Sequence, residues 1–507
     1  MKFSLSIVIL FVSLSCFGQQ LSSNDSIFWD KSYHKKLTFQ FENPSLVRLQ
    51  QYEYNIGEAE LSFKKKQGDY KRAKSAYTQS IIDFEANGLS QVDKFIISGN
   101  FKFNKIWEDS LANTLQGVDD DISPFYYFVQ KAGKYERQNF KGNVQVRYAG
   151  FNNLFQPGIN FDYATHWTTR SVDPRPSVGS VAIKINPFVT AQLGRHQASI
   201  GILYGYGDED SNIGYKNRDY NTSMLYPDRI FYTNQGFGFI SQKDTATMRK
   251  YDQYIGANFN YSIKNQSFEM YTSTNIEQKV TNSTYDQKLR QRYKKRSEFT
   301  LKNFNHQTLL ELKESEHVNH LLDFTVNYQK GVDFNYNLNS ANYIAEHYKL
   351  GLGYFYTSNL WNIGLDGNIN SMEKTDAAAD HYHSYSQANI NLHFCNIWDL
   401  GKNKLETTLI PNYTWKISNT LNVPSTQVNV FTTSTVYPDY DYFNMNTLGL
   451  HINLSYFIPS NKKLRGMEIF TKNQILSVLE NTNKNTLSLQ KGKYNLWQSQ
   501  LGLKFYL

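Results

Sequence analysis

One histidine pair stands out as the arrangement best suited to metal chemistry. His381 and His383 lie two positions apart and follow Asp376 and Asp380. On an extended chain, side chains at i and i+2 share one face, so two imidazoles and a carboxylate could hold a divalent metal. The set matches no established ligand spacing. We therefore predict polar loop residues here and no resident metal.

The remaining histidines give no stronger signal for catalysis. His317 and His320 form a second pair in a predicted turn, and His393 and His451 occupy polar positions of predicted strands. A hydrolase would need serine, histidine and carboxylate held together, and the chain has no G-x-S-x-G element, phosphate loop or dinucleotide fingerprint. We assign no catalytic, metal or cofactor residue and expect no enzyme; a hydrolase is the weakest alternative.

Composition and periodicity predict the strands that would position these side chains. Aromatic residues make up 15% of the 507 positions, with 37 Tyr and 34 Phe, yet the mean hydropathy is only −0.56. A membrane barrel combines these properties because only alternate strand residues face lipid and aromatic girdles flank the apolar band.

Alternation of apolar and polar residues is long and regular. In residues 445–457, Leu448, Leu450, Ile452, Leu454 and Tyr456 alternate with polar or small residues. Strands of ten or more residues exceed the usual length in soluble sheets, which favours a barrel over a soluble sandwich. Comparable windows are 158–167, 180–193, 254–263, 320–330, 361–371 and 386–397.

The first eighteen residues are predicted to be a signal peptide. A basic start at Lys2 precedes an apolar stretch at 5–14, and Cys16-Phe17-Gly18 fits cleavage after Gly18. Lipidation of Cys16 is the alternative. Cleavage would leave Cys395 as the one cysteine and exclude an internal disulfide.

Residues 93–507 are predicted to form the barrel, with about sixteen antiparallel strands joined by long extracellular loops and short periplasmic turns. The count requires 296–314 to be one strand and 230–241 to be a hairpin within a loop. Residues 19–92 are left open: 57–63 and 70–76 could pair and raise the count to eighteen. Residues 45–54 could be a short helix, and the segment could also lie below or inside the barrel.

The last strand adds independent support for a barrel of the outer membrane. Leu501, Leu503, Phe505 and Leu507 share one face, which resembles the terminal signal read by barrel-assembly machinery. Leu507 stands where an aromatic residue is usual. The partners predicted from this pattern are outer-membrane lipid and that machinery.

Three short motifs resemble a group of uncharacterised outer-membrane β-barrel proteins, known as a domain of unknown function. They are Gly68-Asp69-Tyr70, the stretch 88–103 that ends in Gly99-x-Phe101-x-Phe103, and Asp173-Pro174-Arg175-Pro176. The resemblance implies location and fold, and it carries no activity. Physically, the two prolines stiffen a turn, and Arg175 could brace it against a loop carboxylate.

The predicted lumen favours small polar solutes. Its charges are expected to be few and mixed (Lys184, Asp323, Asp366, Lys504), which argues against a ring that selects ions. Loops 207–253 and 416–444 decide whether it is open. Its neutral amides are Asn258, Asn260, Asn327, Asn362, Asn368, Asn370, Asn391 and Asn453.

Two functions from different classes follow. The first is a pore or channel for small polar solutes. The second is a barrel that binds at the surface or assembles with another envelope protein. The net charge of +8 is spread over the chain, with a local run only at 290–296, so no nucleic acid partner is expected. A TonB-dependent receptor is not favoured, because the N-terminal segment is short for a full plug domain.

Overall fold

The structure is a computed structural model that describes ten ranges of the chain. These are residues 31–48, 55–150, 154–222, 225–242, 246–285, 294–315, 318–358, 361–460, 464–479 and 494–507. None of the helices in these ranges is long and apolar enough to cross a membrane.

Eighteen of the twenty-one described strands form one closed antiparallel barrel. In chain order the strands are β1 (Ile56–Gly68), β2 (Thr78–Val92), β3 (Phe95–Leu111), β4 (Phe125–Val129), β5 (Gly133–Tyr148), β6 (Gln156–Arg170), β7 (Arg175–Leu193), β8 (His196–Gly214), β9 (Phe231–Gln235), β10 (Ile240–Gln242), β11 (Thr247–Lys264), β12 (Phe268–Tyr285), β13 (Lys294–Lys313), β14 (Asn319–Asn335), β15 (Tyr343–Thr357), β16 (Trp361–Asp376), β17 (His381–Leu400), β18 (Asn403–Asn422), β19 (Thr447–Pro459), β20 (Gly466–Val478) and β21 (Asn495–Tyr506). Strands β4, β9 and β10 form a separate small sheet within the loops.

The barrel closes between its first and last strands. Strand β1 pairs with β21 from Glu58–Tyr506 to Gly68–Leu496. The described helices are α1 (Lys31–Glu42), α2 (Asp219–Thr222) and α3 (Tyr437–Phe443), with 3-10 turns at Pro44–Leu46, Pro227–Arg229 and Ser425–Gln427 and a π-helical turn at Thr432–Val436. We call the end of the barrel that carries segments 112–132, 215–246 and 423–446 the loop end, and the opposite end the turn end.

The strand count is eighteen where about sixteen were expected. The additional pair is β1 and β2, and the connection between them is 69–77, so the whole window 70–76, predicted to be a strand, lies in a loop. Residues 81 and 82 are both isoleucine, which hides the alternation in β2. The proposed helix at 45–54 is only the 3-10 turn Pro44–Leu46, and residues 49–54 lie outside the described part of the chain.

The structure agrees with the other two assumptions behind the strand count. Strand β13 is one unbroken strand from Lys294 to Lys313, which covers all but the last residue of the window 296–314, and β9 and β10 form a hairpin inside the loop 215–246. The apolar faces also point outward as expected. Ile200, Ile202 and Leu501 are exposed on the exterior, each by more than 60%. A band of such residues is the surface that hydrocarbon chains require.

The exterior band makes a direct test of the lipid-facing side. Leu352 is 62% exposed on β15 and lies beside Phe324 of β14, within the apolar band. Leu352→Arg should lower the free energy of unfolding in lipid vesicles by about 2–4 kcal/mol, because a charge would face hydrocarbon. Denaturant titration measures this change. The control Leu225→Arg, at an 83% exposed loop position, should change the value little; equal losses would contradict the assignment.

Candidate solute chamber

One wall of the lumen is held by ion pairs between inward-facing residues of β7, β8, β11 and β12. Alternation places every second side chain of these strands inside. The pairs are Lys184–Glu277 at 2.5 Å, Lys279–Asp252 at 2.9 Å and Lys250–Glu209 at 2.9 Å. The expectation of few lumenal charges was therefore wrong, because the charges are numerous and lie in opposite-sign pairs.

The facing wall, from β14 to β17, is built from neutral amides and histidines. His347 bridges Gln329 at 3.2 Å and Asn370 at 2.6 Å through its two ring nitrogens. Nearer the turn end, Asp366 pairs with His393 and accepts a hydrogen bond from Asn391 Nδ2 at 2.8 Å. The wall offers hydrogen bonds with little net charge.

A chamber of about 890 Å³ lies between these walls. Its lining includes Lys250, Lys279, His347 and Asn370. A second cavity of about 440 Å³ lies nearer the turn end, and both contain Lys349 and Asn368 in their lining. Both volumes fall in the range of small-molecule sites, roughly 300–1,000 Å³.

Three loops pack over the chamber at the loop end, and we call them the roof. Each contributes aromatic or aliphatic side chains to one buried cluster: Phe128 from 112–132, Phe237 from 215–246, and Phe431 with Phe443 from 423–446. Phe443 stacks on Tyr385 of the barrel wall with ring centroids 3.6 Å apart. The two loops that were expected to decide the state of the lumen thus fold inward.

Ion pairs join the roof to the loop 69–77. Arg72 binds Asp121 and Asp439, the latter at 3.1 Å, and Lys74 lies 3.2 Å from Asp121. Burial opposes the charge of Asp121, but Lys74 and Arg72 outweigh it and hold the pKa of that carboxyl well below its usual range. Its contribution to stability is present above the unfolded pKa of about 3.9 and is lost only as pH falls through the lower folded value. Burial raises the pKa of Tyr126 to about 12.

Helix α1 lies inside the lumen at the turn end, and we call α1 and residues 43–47 the floor. Lys36 inserts between Glu269 at 3.2 Å and Glu311 at 3.1 Å, whose side chains are 1% and 4% exposed. Phe39 packs in a buried cluster with Tyr271 of β12. These contacts attach α1 to the barrel through buried charge and apolar surface together.

The floor spans the lumen from side to side. On the other side of α1, His34 lies 3.1 Å from Lys504 of β21. Beyond α1, Arg147 of β5 donates to the carbonyls of Ser45 and Val47, and Gln197 of β8 donates to Ser45 O at 2.7 Å. Nothing in the sequence analysis singled out α1.

His381 and His383 do not assemble a metal site with their described neighbours. His381 Nδ1 donates to Phe237 O at 2.8 Å, and the His383 ring stacks on Phe237 with ring centroids 5.9 Å apart, so both hold the roof. Asp376 accepts from the amide nitrogens of Phe237 and Phe239 instead of facing a metal. Among the described residues no group of three or more His, Cys, Asp and Glu could hold a metal.

His320 and the proline turn have structural partners. His320 is at the turn end, 2.8 Å from Tyr354 Oη, and His317 lies outside the described residues. Arg175 Nε donates to Asp173 at 2.7 Å, and Asp173 also accepts two backbone hydrogen bonds from residues 216 and 217. Arg175 therefore braces the turn as the sequence suggested.

Lys36 gives a test of how the floor is attached. Lys36→Met leaves two buried carboxylates facing an apolar side chain, and breaking a buried pair costs about 3 kcal/mol. Amide hydrogen exchange of α1 should therefore become roughly a hundredfold faster. The double variant Lys36→Met/Glu311→Met should recover part of the protection. Lys35→Met should have little effect, because Lys35 lies 3.9 Å from Asp323 in a more exposed pair. Unchanged exchange in Lys36→Met would show that the ion pairs do not hold the floor.

Several solved outer-membrane proteins are similar to this chain at low sequence identity. The solved structures similar to this chain include the ferric preacinetobactin receptor BauA from Acinetobacter baumannii (7% identity, 89% of this chain and 80% of that chain, TM-score 0.37). They also include the ferric citrate transporter FecA in the unliganded form (9%, 90% and 80%, TM-score 0.40) and the alcaligin outer-membrane receptor FauA from Bordetella pertussis (10%, 91% and 77%, TM-score 0.40). We base no functional argument on similarities this low.

Sequence comparison is more specific about family. No curated protein matches the chain. Residues 44–507 match the model of the family of unknown function DUF6850. That range contains all eighteen barrel strands and the three loops of the roof. The chain therefore belongs to this family of unknown function, DUF6850.

Proposed function

We propose that the protein is a gated route for small polar solutes across the outer membrane. The observation that carries this proposal is a polar chamber of about 890 Å³ covered by the roof, next to a cavity of about 440 Å³ that reaches Lys35 of the floor. An open general pore would not need two closures, and a purely structural barrel would not need a polar chamber. The arrangement suits a solute that is held between two gates.

The floor is the closure better suited to move. It is attached to the barrel through side chains and two carbonyls, and α1 has no strand-to-strand pairing that must break. Elements with few cooperative backbone contacts open at lower free energy than barrel strands do. We infer that the solute leaves the chamber at the turn end when α1 undocks.

We also propose how the barrel is oriented in the membrane and how the chain is exported. The loop end would face the cell exterior and the turn end the periplasm, as long loops and short turns do in bacterial barrels. Residues 1–18 would direct export and be removed, and 93–507 with the two preceding strands would insert as the barrel. Intact-mass measurement of protein from the membrane fraction should then give a chain that begins at Gln19.

A second function is supported by the roof. Strands β4, β9 and β10 make a small sheet of their own, which gives the loop end a folded surface. Such a surface would suit an envelope protein partner. Co-purification in mild detergent tests this alternative, and a solitary barrel that conducts ions would leave it without support.

Planar-bilayer conductance tests the two gates. The wild-type protein should be closed. Replacing residues 31–47 by a flexible glycine–serine segment should leave the roof in place, and replacing 425–443 should leave the floor. We expect brief openings at most from either single replacement and steady channels when both are made, because the two closures act in series.

The same conductance assay includes a control variant. Lys134→Gln alters an exposed ion pair at the loop end and should leave the barrel closed. Each variant must first show the heat-dependent gel mobility of a folded barrel. Steady conductance from wild type, or a silent double replacement that is folded, would contradict a gated route.

The last strand, β21, carries the predicted signal for barrel assembly. Phe505 faces outward beside Ala59 of β1 at the point of closure. We propose that barrel-assembly machinery reads this outward face (Leu501, Leu503, Phe505, Leu507). Phe505→Asp should lower the amount of folded protein in the outer membrane several-fold. Gln498→Glu on the inward face should not, and equal effects would remove the support for a face-specific signal.

A further inference from the structure

The smaller cavity beside α1 has the features of a built binding site. Its volume is about 440 Å³, and it lies between α1 and strands β14 to β17. Lys35 of α1 forms part of its lining, and Asn362, Asp366 and His393 lie in the barrel wall. The site therefore touches both the wall and the floor.

Glycines on the wall create this space. Gly351, Gly353 and Gly364 face inward on β15 and β16, where other residues would project into the lumen. A Cβ on Gly351 would lie 2.5 Å from Thr325 Oγ1, and one on Gly353 would lie 2.9 Å from the Phe355 ring; a Cβ on Gly364 would collide with that ring. The glycines thus let Phe355 lie close to the backbone and keep the cavity empty of side chains.

Asn362 is one of the residues that line the cavity, and its side chain carries an unsatisfied polar atom. The residue is 6% exposed, and its Oδ1 has no hydrogen-bond partner among the described residues. Its Nδ2 contacts Cys395 Sγ at 3.7 Å. A buried acceptor without a donor costs free energy, and such atoms in folded proteins call for an explanation. A ligand that donates a hydrogen bond at this point would supply the missing partner.

The charges around the cavity balance. Lys35 and Lys349 are basic, and Asp323 and Asp366 are acidic. Asp366 already pairs with His393, and Lys35 lies 3.3 Å from the centroid of the Phe355 ring. A ligand with a net charge gains no clear advantage from such a lining. A ligand with both donors and acceptors does, because ammonium and amide donors alternate with carboxylate and amide acceptors.

We propose that this cavity binds a neutral, hydroxyl-rich solute the size of a monosaccharide or disaccharide. A hydroxyl is both donor and acceptor, which matches a lining of mixed polarity. One hydroxyl donates to Asn362 Oδ1, and others accept from Lys349 or Asn368. The proposal rests on the chamber being a solute route and names the class of solute and the place where it is held, next to α1.

Equilibrium dialysis of the purified full-length protein in detergent tests the site, since it allows time for slow entry. The probes are radiolabelled glucose, N-acetylglucosamine, maltose, cellobiose and lactose, with glucuronate and glucosamine as charged counterparts. We expect saturable binding of at least one neutral sugar at one site per chain. Its charged counterpart of similar size should bind on the order of tenfold more weakly, about the effect of one poorly matched polar contact.

Matched variants locate the binding. Asn362→Ala removes an acceptor that makes no hydrogen bond in the protein, so the barrel should fold normally while sugar affinity falls about tenfold. Asn327→Ala is the control, because Asn327 also faces inward, on β14, but does not line the cavity. Gly351→Leu, which fills the space, should abolish binding.

The outcomes separate this proposal from the transport function. No saturable binding by any neutral sugar, equal binding of charged sugars, or equal affinities in Asn362→Ala and Asn327→Ala would overturn the site. Gated conductance without sugar binding would leave the gated route standing and remove the saccharide site. Sugar binding lost in Asn362→Ala, together with silent bilayers, would support the site and count against transport.

Discussion

An eighteen-stranded closed sheet encloses more space than its own inward side chains can fill, and that constraint governs the interior of this protein. Barrels of eight strands are filled by side chains, whereas those of sixteen or more leave an aqueous lumen unless something occupies it. Here the chain fills both ends with its own segments, the loops of the roof and α1 of the floor. Between them a polar volume remains.

The same constraint explains why the lumenal charges are paired. Inward positions are wet but crowded, so an isolated charge would be only partly hydrated there, and pairing recovers the lost solvation. The ladder Lys184–Glu277, Lys279–Asp252 and Lys250–Glu209 is one result. Pairing also removes the long-range field of the wall, which leaves hydrogen bonding as the main means of recognition inside the chamber.

Strands with strict alternation were predictable from the sequence, and those without it were not. In β19, and in β21 from Leu501 to Phe505, every second residue is apolar, so the outward face followed from the pattern alone. In β2 the consecutive Ile81 and Ile82 break the period, and Ala86 and Gly88 are small on the outward face. That strand is defined by pairing with both neighbours, which the sequence of one segment does not reveal.

Helix α1 was missed for a related reason. It has no acidic residue in its first turn and no basic residue in its last, and a helix of twelve residues is marginal on its own. Its helicity depends on where its side chains dock, above all Lys36 between two carboxylates that lie on different strands. The candidate cavity could not be predicted for the same reason. Gly351 and Gly353 belong to β15 and Gly364 and Asn362 to β16, and they line one cavity only when the two strands pair.

The position of that cavity gives α1 a second role beyond closing the lumen. Lys35 lines the proposed binding site, while the next residue, Lys36, holds the helix to the barrel. A solute that contacts Lys35 therefore acts on the same helical turn that anchors the floor. A ligand shifts an equilibrium only through different affinities for its two states. Because Lys35 belongs to the site only while α1 is docked, occupancy of the cavity and closure of the floor must be thermodynamically linked if the solute contacts Lys35.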